Sequence, residues 1–199
     1  LSASFAGSAA LIDKLKSGME PNNEHGLGTI DGKNTVLDNV KLAGLTLQEL
    51  KKQYEYDLFE DFLPFMDKYV IDHEYGGFMC NADRDGTQIS SIKNTWYEGR
   101  GIWVYSFLYN NFGHNPKYLE VARKSVDFIL KHKPAGDGLW PGGYSKEGLA
   151  QGELDSRGYG DLFIASGLAE YAKASGKNEY WEMAREMMMK ILRLYDHPA

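Results

Sequence analysis

The sequence predicts an all-α fold in which helices lie in two concentric layers, a wetted outer layer around a dry inner one, forming part of a ring. Three observations carry this reading. Amphipathic helical segments alternate with segments that are apolar on nearly every face. Short links alternate with long ones. The two long links also share a pattern: Gly76-Gly77-Phe78 leads to Asp85-Gly86, and Gly142-Gly143-Tyr144 leads to Glu147-Gly148, roughly 66 residues further on. An up-and-down bundle would give each helix one wet stripe. Alternation of wet and dry helices calls for outer helices shielding inner ones, with a β-hairpin on each passage from outer to inner.

Each element has its own warrant. The first helix, about 46–70, lines up Leu47, Leu50, Tyr54, Leu58, Phe62 and Phe65 on one stripe, and Pro64 is expected to kink or end it. The second begins at Thr95. It carries Trp96, Arg100, Trp103 and Phe107 on one face, with Ile102, Val104, Tyr105, Leu108 and Tyr109 on the others, the pattern of a helix buried all round. The third, about 116–132, turns Tyr118, Val121, Ala122, Val126 and Ile129 inward behind an Asn115-Pro116 start. The fourth, about 159–174, is apolar on most faces, with Gly160 and Gly167 permitting close packing and Gly176 ending it. The fifth, about 178–195, sets Trp181, Ala184, Met188, Ile191 and Tyr195 against charged residues, and its Met187-Met188-Met189 run reads as core filling. Five helices leave a ring incomplete, so the chain is expected to be truncated at both ends.

Composition narrows the function classes. The net charge of −6 is spread without blocks, which excludes a nucleic-acid stripe or a basic membrane face. The single cysteine, Cys80, rules out an internal disulfide and a cysteine-based zinc site. No nucleotide loop, metal-ligand spacing or Ser/Cys nucleophile context stands in the chain. No apolar run reaches the roughly 18 residues of a membrane span. Residues 1–12, LSASFAGSAALI, are uncharged and read either as the remnant of an export signal, implying a periplasmic or extracellular protein, or as a frayed helix; without export the protein is cytoplasmic. Residues 13–45 read as an extended lead-in and residues 46–199 as the helical domain.

The stretch 62–113 resembles the N-terminal signature of the N-acylglucosamine 2-epimerase family, which includes cellobiose 2-epimerases and mannose or related sugar isomerases. The matching residues are Leu63-Pro64-Phe65, Asp72 with Glu74-Tyr75-Gly76-Gly77-Phe78, Asp83-Arg84-Asp85-Gly86, Lys93, Trp96, and Gly99-Arg100 followed by Trp103. Phe163 and Gly167-Leu168-Ala169-Glu170-Tyr171 continue the likeness, which covers about 46–195. The resemblance implies an (α/α)6 barrel, here an N-terminal portion of it. It also implies a mono- or disaccharide substrate, opened to its carbonyl form, which loses the proton beside the carbonyl and passes through a cis-enediolate. That reaction needs no metal or other cofactor.

Arg100 matches the family's catalytic arginine. A permanently charged guanidinium with several donors is suited to an oxyanion formed in a water-poor cavity. The alternative is a structural cation paired with Glu74 or Asp72. Trp96, one turn earlier, offers a flat face to a sugar or fills the core. Tyr97, Tyr159 and Asp161 lie near the same rim, Asp161 either accepting sugar hydroxyls or capping the fourth helix. Trp140 is a sugar platform or a hairpin anchor, and Asp155 and Arg157 lie in the loop before the fourth helix. The family's acid/base histidines and nearby glutamate come from later in the barrel. None of His25, His73, His114, His132 and His197 matches them, so the 199-residue chain is expected to be inert alone. Two rivals share the architecture: a glycoside or unsaturated-uronyl hydrolase using Glu98 and Asp161 as its carboxylates, and a sugar-binding ring without catalysis. The residues leave open which sugar is bound, whether it is epimerised or isomerised, and the oligomeric state.

Overall fold

The computed structural model of the protein describes residues 41–136, 138–154 and 158–196. The expected leader remnant, most of the lead-in, His25, His197, Asp155 and Arg157 lie outside the described residues. The chain divides into two compact units, Leu1–Lys52 and Gln53–Ala199. In the first, strands β1 (Lys41–Leu42) and β2 (Leu45–Thr46) pair antiparallel. Helix α1 (Leu47–Tyr56) follows, and the Thr46 hydroxyl and Glu49 carboxylate exchange hydrogen bonds with each other's backbone N–H in a capping box.

Helical backbone runs on unbroken through a π-helical stretch, Asp57–Phe62, into α2 (Leu63–Tyr69). Pro64 therefore does not end the helix. Proline lacks the N–H for an α-helical bond and its ring crowds the carbonyl four residues back; the wider π turn, with the Leu63 N–H donating to the Leu58 carbonyl, lets the chain pass. Leu58 and Phe65 from the expected stripe pack on the core, and the extra residue per turn brings Phe59, Leu63 and Met66 to it as well, while Tyr54 and Phe62 are exposed.

Strands β3 (Asn81–Ala82) and β4 (Gln88–Ser90) make a bulged hairpin around Gly86. Strand β5 (Lys93–Asn94) then delivers the chain to α3 (Thr95–Asn111). Asn115 caps α4 (Pro116–Lys131), its side-chain carbonyl accepting the Lys117 N–H at 3.0 Å. Strands β6 (Pro141–Tyr144) and β7 (Ala150–Leu154) join β5 in one antiparallel sheet, order β5-β6-β7. The two long links are thus stitched together. The glycine pairs differ in use, however: Gly76 and Gly77 take positive φ in a tight turn, whereas Gly142 and Gly143 lie within β6. Helix α5 (Tyr159–Ser175) ends on a left-handed Gly176, and α6 (Asn178–Asp196) completes the described elements.

Helices α3 and α5 are the inner pair. A Cβ on Gly99 would overlap the Phe163 carbonyl carbon, one on Gly167 would lie 2.5 Å from the Gly99 oxygen, and one on Gly160 2.9 Å from Thr95 Cγ2. At Gly99 and Gly167 backbone therefore meets backbone. α4 packs on α3 and α5, and α6 on α5. The core-facing stripe of α6 is Tyr180, Met183, Ala184, Met187 and Ile191; Trp181, Met188 and Tyr195 from the expected stripe are exposed. Among the described residues no helix is long and apolar enough to cross a membrane.

Candidate active site

Helix α3 is not buried on every side. Arg100, Trp103 and Phe107 are exposed and Trp96 half-buried, so the face that carries the arginine lies open. The Arg100 guanidinium stands 5.7 Å from the centre of the Trp96 ring and 5.8 Å from that of Phe163 on α5, within cation–π reach of both. Neither expected carboxylate partner meets it: Asp72 pairs with Lys93 and Glu74 with Lys146, each at 2.8 Å. Among the described residues no carboxylate pairs with Arg100. Its charge is left to whatever enters from the open face.

Aromatic rings extend outward from this cation. Tyr97 stacks on Trp96 at 3.8 Å, Trp96 lies 6.1 Å from Phe163, and Tyr159 meets Phe163 edge-on at 4.9 Å. Two hollows flank the arginine. A groove of about 270 Å³ between α3 and α5 is lined by Gly99, Arg100, Trp103, Val104, Phe163 and Ser166. An apolar cavity of about 350 Å³ toward α2 has Arg100 and Tyr97 in its wall. Among the described residues no acidic side chain lines either one.

The structure thus brings Arg100, Trp96, Tyr97 and Tyr159 together, and the residue that joins them is Phe163. Asp161 and Trp140 are placed elsewhere. Asp161 is fully buried; one oxygen accepts the Trp140 backbone N–H at 3.1 Å and the other meets the Lys190 ammonium at 2.9 Å. It is an anchor for β6 and α6, not a cap for its own helix, whose cap position is Gly158. The Trp140 ring is 2% exposed and serves as the hairpin's anchor in the core.

Behind the open face lies a buried polar cluster whose members no local sequence pattern brings together. Lys93 is fully buried, donates to the carbonyls of Gly76 at 2.6 Å and Lys146 at 2.7 Å, pairs with Asp72, and lies 4.0 Å from the Phe128 ring centre. Glu98, also fully buried, points away from Arg100 and accepts the Phe78 N–H at 2.8 Å. A Cβ on Gly77 would lie 2.5 Å from its second oxygen, so this turn requires glycine for space as well as for its φ of +88°. Burial pushes the Glu98 carboxyl up to about 8, against the lowering pull of the Phe78 N–H and of Lys93. For Asp72 burial is again the largest influence, upward, but the hydrogen bonds from Lys93 and the Tyr75 and Glu74 N–H groups together hold it below the usual carboxylate range. Lys93 thereby ties the hairpin turn, the sheet and α4 to the start of α3.

None of the described histidines lines the hollows beside Arg100. His73 lies 3.3 Å from the Asp67 carboxylate, His114 packs on Tyr109, and His132 bonds the Phe128 carbonyl. Among the described residues no cluster of His, Cys, Asp and Glu is disposed to hold a metal ion.

The family model described as N-acylglucosamine 2-epimerase (GlcNAc 2-epimerase) matches residues 76–199, more than half of the chain. The N-acylglucosamine 2-epimerase of Mus musculus is 28% identical over 153 residues, and that of Homo sapiens 26% over 160. The chain spans 36% of the length of each of these relatives. Among solved structures, cellobiose 2-epimerase from Spirochaeta thermophila superposes with a TM-score of 0.62 at 24% identity, covering 75% of this chain and 36% of that one. A sugar epimerase from a ruminal bacterium gives 0.64 at 22%, covering 72% and 37%. At these identities the likeness establishes the fold.

Proposed function

Because the chain belongs to the N-acylglucosamine 2-epimerase family and its helices form part of an (α/α)6 barrel, we propose that it supplies the oxyanion-holding side of a sugar 2-epimerase or isomerase site. The observation that supports this reading is the Arg100 guanidinium, unpaired by any described carboxylate and held among aromatic rings on the open face of the inner layer.

The chemistry follows from that placement. A reducing mono- or disaccharide opens to its carbonyl form. A base takes the proton from the carbon beside the carbonyl, and the electron pair moves to oxygen as the cis-enediolate forms. The same proton equivalent returns to the opposite face, giving the epimer, or to the neighbouring carbon, giving the isomer. Arg100 donates to the enediolate oxygens; a fixed cation beside apolar rings stabilises that charge more than it stabilises the neutral sugar. Trp96, Tyr97 and Tyr159 offer aromatic surface to the sugar's C–H faces. The base and acid are proposed to be histidines on a later part of the family fold, since His73, His114 and His132 all lie outside the hollows beside Arg100. The 199-residue chain alone is accordingly expected to exchange no C2 proton of a reducing sugar in D2O, and measurable deuterium uptake at C2 would refute that division of labour.

The hydrolase rival needs two carboxylates facing a sugar. Glu98 and Asp161 are both fully buried behind the inner helices, which disfavours it. A purely sugar-binding role is separated by calorimetry. An aldonohydroxamate, which mimics the enediolate, is expected to bind more tightly than its parent sugar. Arg100→Lys should weaken the hydroxamate by about tenfold or more, roughly 1.4 kcal/mol, and the parent sugar much less. An equal effect on both, or none, would leave binding without catalysis.

A further inference from the structure

Arginines that hold anions are commonly aimed by a carboxylate, and Arg100 has none among the described residues. We propose that Phe163 is a positioning residue that, with Trp96, aims the Arg100 guanidinium in place of an acid; this rests on the reading of Arg100 as the oxyanion-holding group. The two rings come from neighbouring inner helices, lie 6.1 Å apart, and stand to one side of the guanidinium at 5.7 and 5.8 Å. The aromatic faces attract the cation without neutralising it, so the orientation is fixed while the charge stays available.

The register that puts Phe163 there is itself fixed. A side chain on Gly99 would overlap the Phe163 backbone, and one on Gly167 would strike the Gly99 carbonyl oxygen. The α3 and α5 backbones can therefore neither part nor slide without losing this contact, and residue 100 follows directly on the glycine that Phe163 touches. Tyr159, one turn before Phe163, closes on its ring edge-to-face at 4.9 Å and holds it against rotation. The arrangement transmits the inner-helix packing straight to the cation. It also gives Phe163 a function distinct from its neighbours Ile164, Ala165 and Leu168, which are buried in the core while Phe163 stays half-exposed.

The test needs no sugar, so its failure is separable from failure of the proposed chemistry. In the 199-residue chain, the Arg100 Nε–H resonance is expected to be shifted by ring currents and to relax as a rigid group, with an order parameter of about 0.85, whereas Arg84 on the exposed turn after β3 falls below about 0.6. Phe163→Leu, which keeps an apolar side chain between the helices, should bring Arg100 to the mobile value and abolish the shift while the amide spectrum of α3 and α5 stays native. Phe163→Tyr and Phe163→Trp should restore both. An Arg100 side chain as mobile as Arg84 in the unsubstituted protein would overturn the proposal even if Phe163→Leu failed to fold. So would an Arg100 that stays rigid in a folded Phe163→Leu variant.

Discussion

At the residue scale the protein separates its charges by environment. Arg100 lies open and pairs with no carboxylate among the described residues, while Lys93, Asp72, Glu98 and Asp161 are buried behind it. Their burial makes stability depend on pH in two distinct windows. Glu98 has a raised folded pKa, so the folded state holds its proton more tightly than the unfolded chain does. The stability this contributes is complete below the ordinary value of 4.5 and is lost as pH rises toward about 8, at up to about 1.4 kcal/mol per pH unit. Asp72 is lowered, so its contribution is present above 3.8 and lost as pH falls further. Urea unfolding of Glu98→Gln is expected to show no loss between pH 5 and 8 while the acid limb persists; an unchanged slope would mean that Glu98 is ionised in the folded protein. Lys93→Met strips the cation from a buried Asp72 and is expected to cost about 3–5 kcal/mol, read as a lower urea midpoint. Arg100 was legible in the sequence because a cation on an apolar helix stands out. Phe163 entered only through the family resemblance, without a role, since an aromatic residue on an apolar helix reads as core. Lys93 was matched only by resemblance: its carbonyl partners lie 17 and 53 residues away, and no local pattern pairs them.

At the scale of elements the inner pair depends on glycine. α3 and α5 meet backbone to backbone at Gly99 and Gly167, and Gly160 makes room for the Thr95 side chain. An added methyl at Gly99 has no flexible neighbour to displace, so Gly99→Ala is expected to cost about 3 kcal/mol or more, the upper end for overpacking. Gly113 is the control. Its φ is +79° but nothing lies within 4 Å of the added Cβ, so Gly113→Ala carries conformational strain alone, about 1–2 kcal/mol. Urea midpoints at constant slope measure both, and a Gly99→Ala cost at or below that of Gly113→Ala would contradict the close approach. The alternation of wet and dry helices and the glycines of α5 were readable from periodicity. The added core residues Leu63 and Met66 of α2 and the rotated face of α6 were not. The π-helical stretch before Pro64 adds a residue that a 3.6-residue period does not count, and α6 carries apolar residues on two faces, so periodicity alone does not choose between them.

At the scale of the unit from Gln53 onward, the two hairpin links converge on one sheet and one buried cluster, and this scaffold holds the start of α3 so that Arg100 faces outward from it. Membership of the family was legible through a resemblance over some fifty residues, while the separation of the predicted rim residues was not. Asp161 and Trp140 are near Tyr159 in sequence or in the linking hairpin, yet hydrogen bonding and burial draw both into the scaffold. The most direct measurement of the central claim is NMR titration of the 199-residue chain with an aldonohydroxamate, following the Arg100 Nε–H and the Trp96 indole N–H together. Both signals are expected to move with one saturation curve, and the response to vanish in a folded Arg100→Ala variant. Hydroxamate binding that leaves Arg100 undisturbed, or that survives unchanged in Arg100→Ala, would contradict the claim that this guanidinium receives the enediolate.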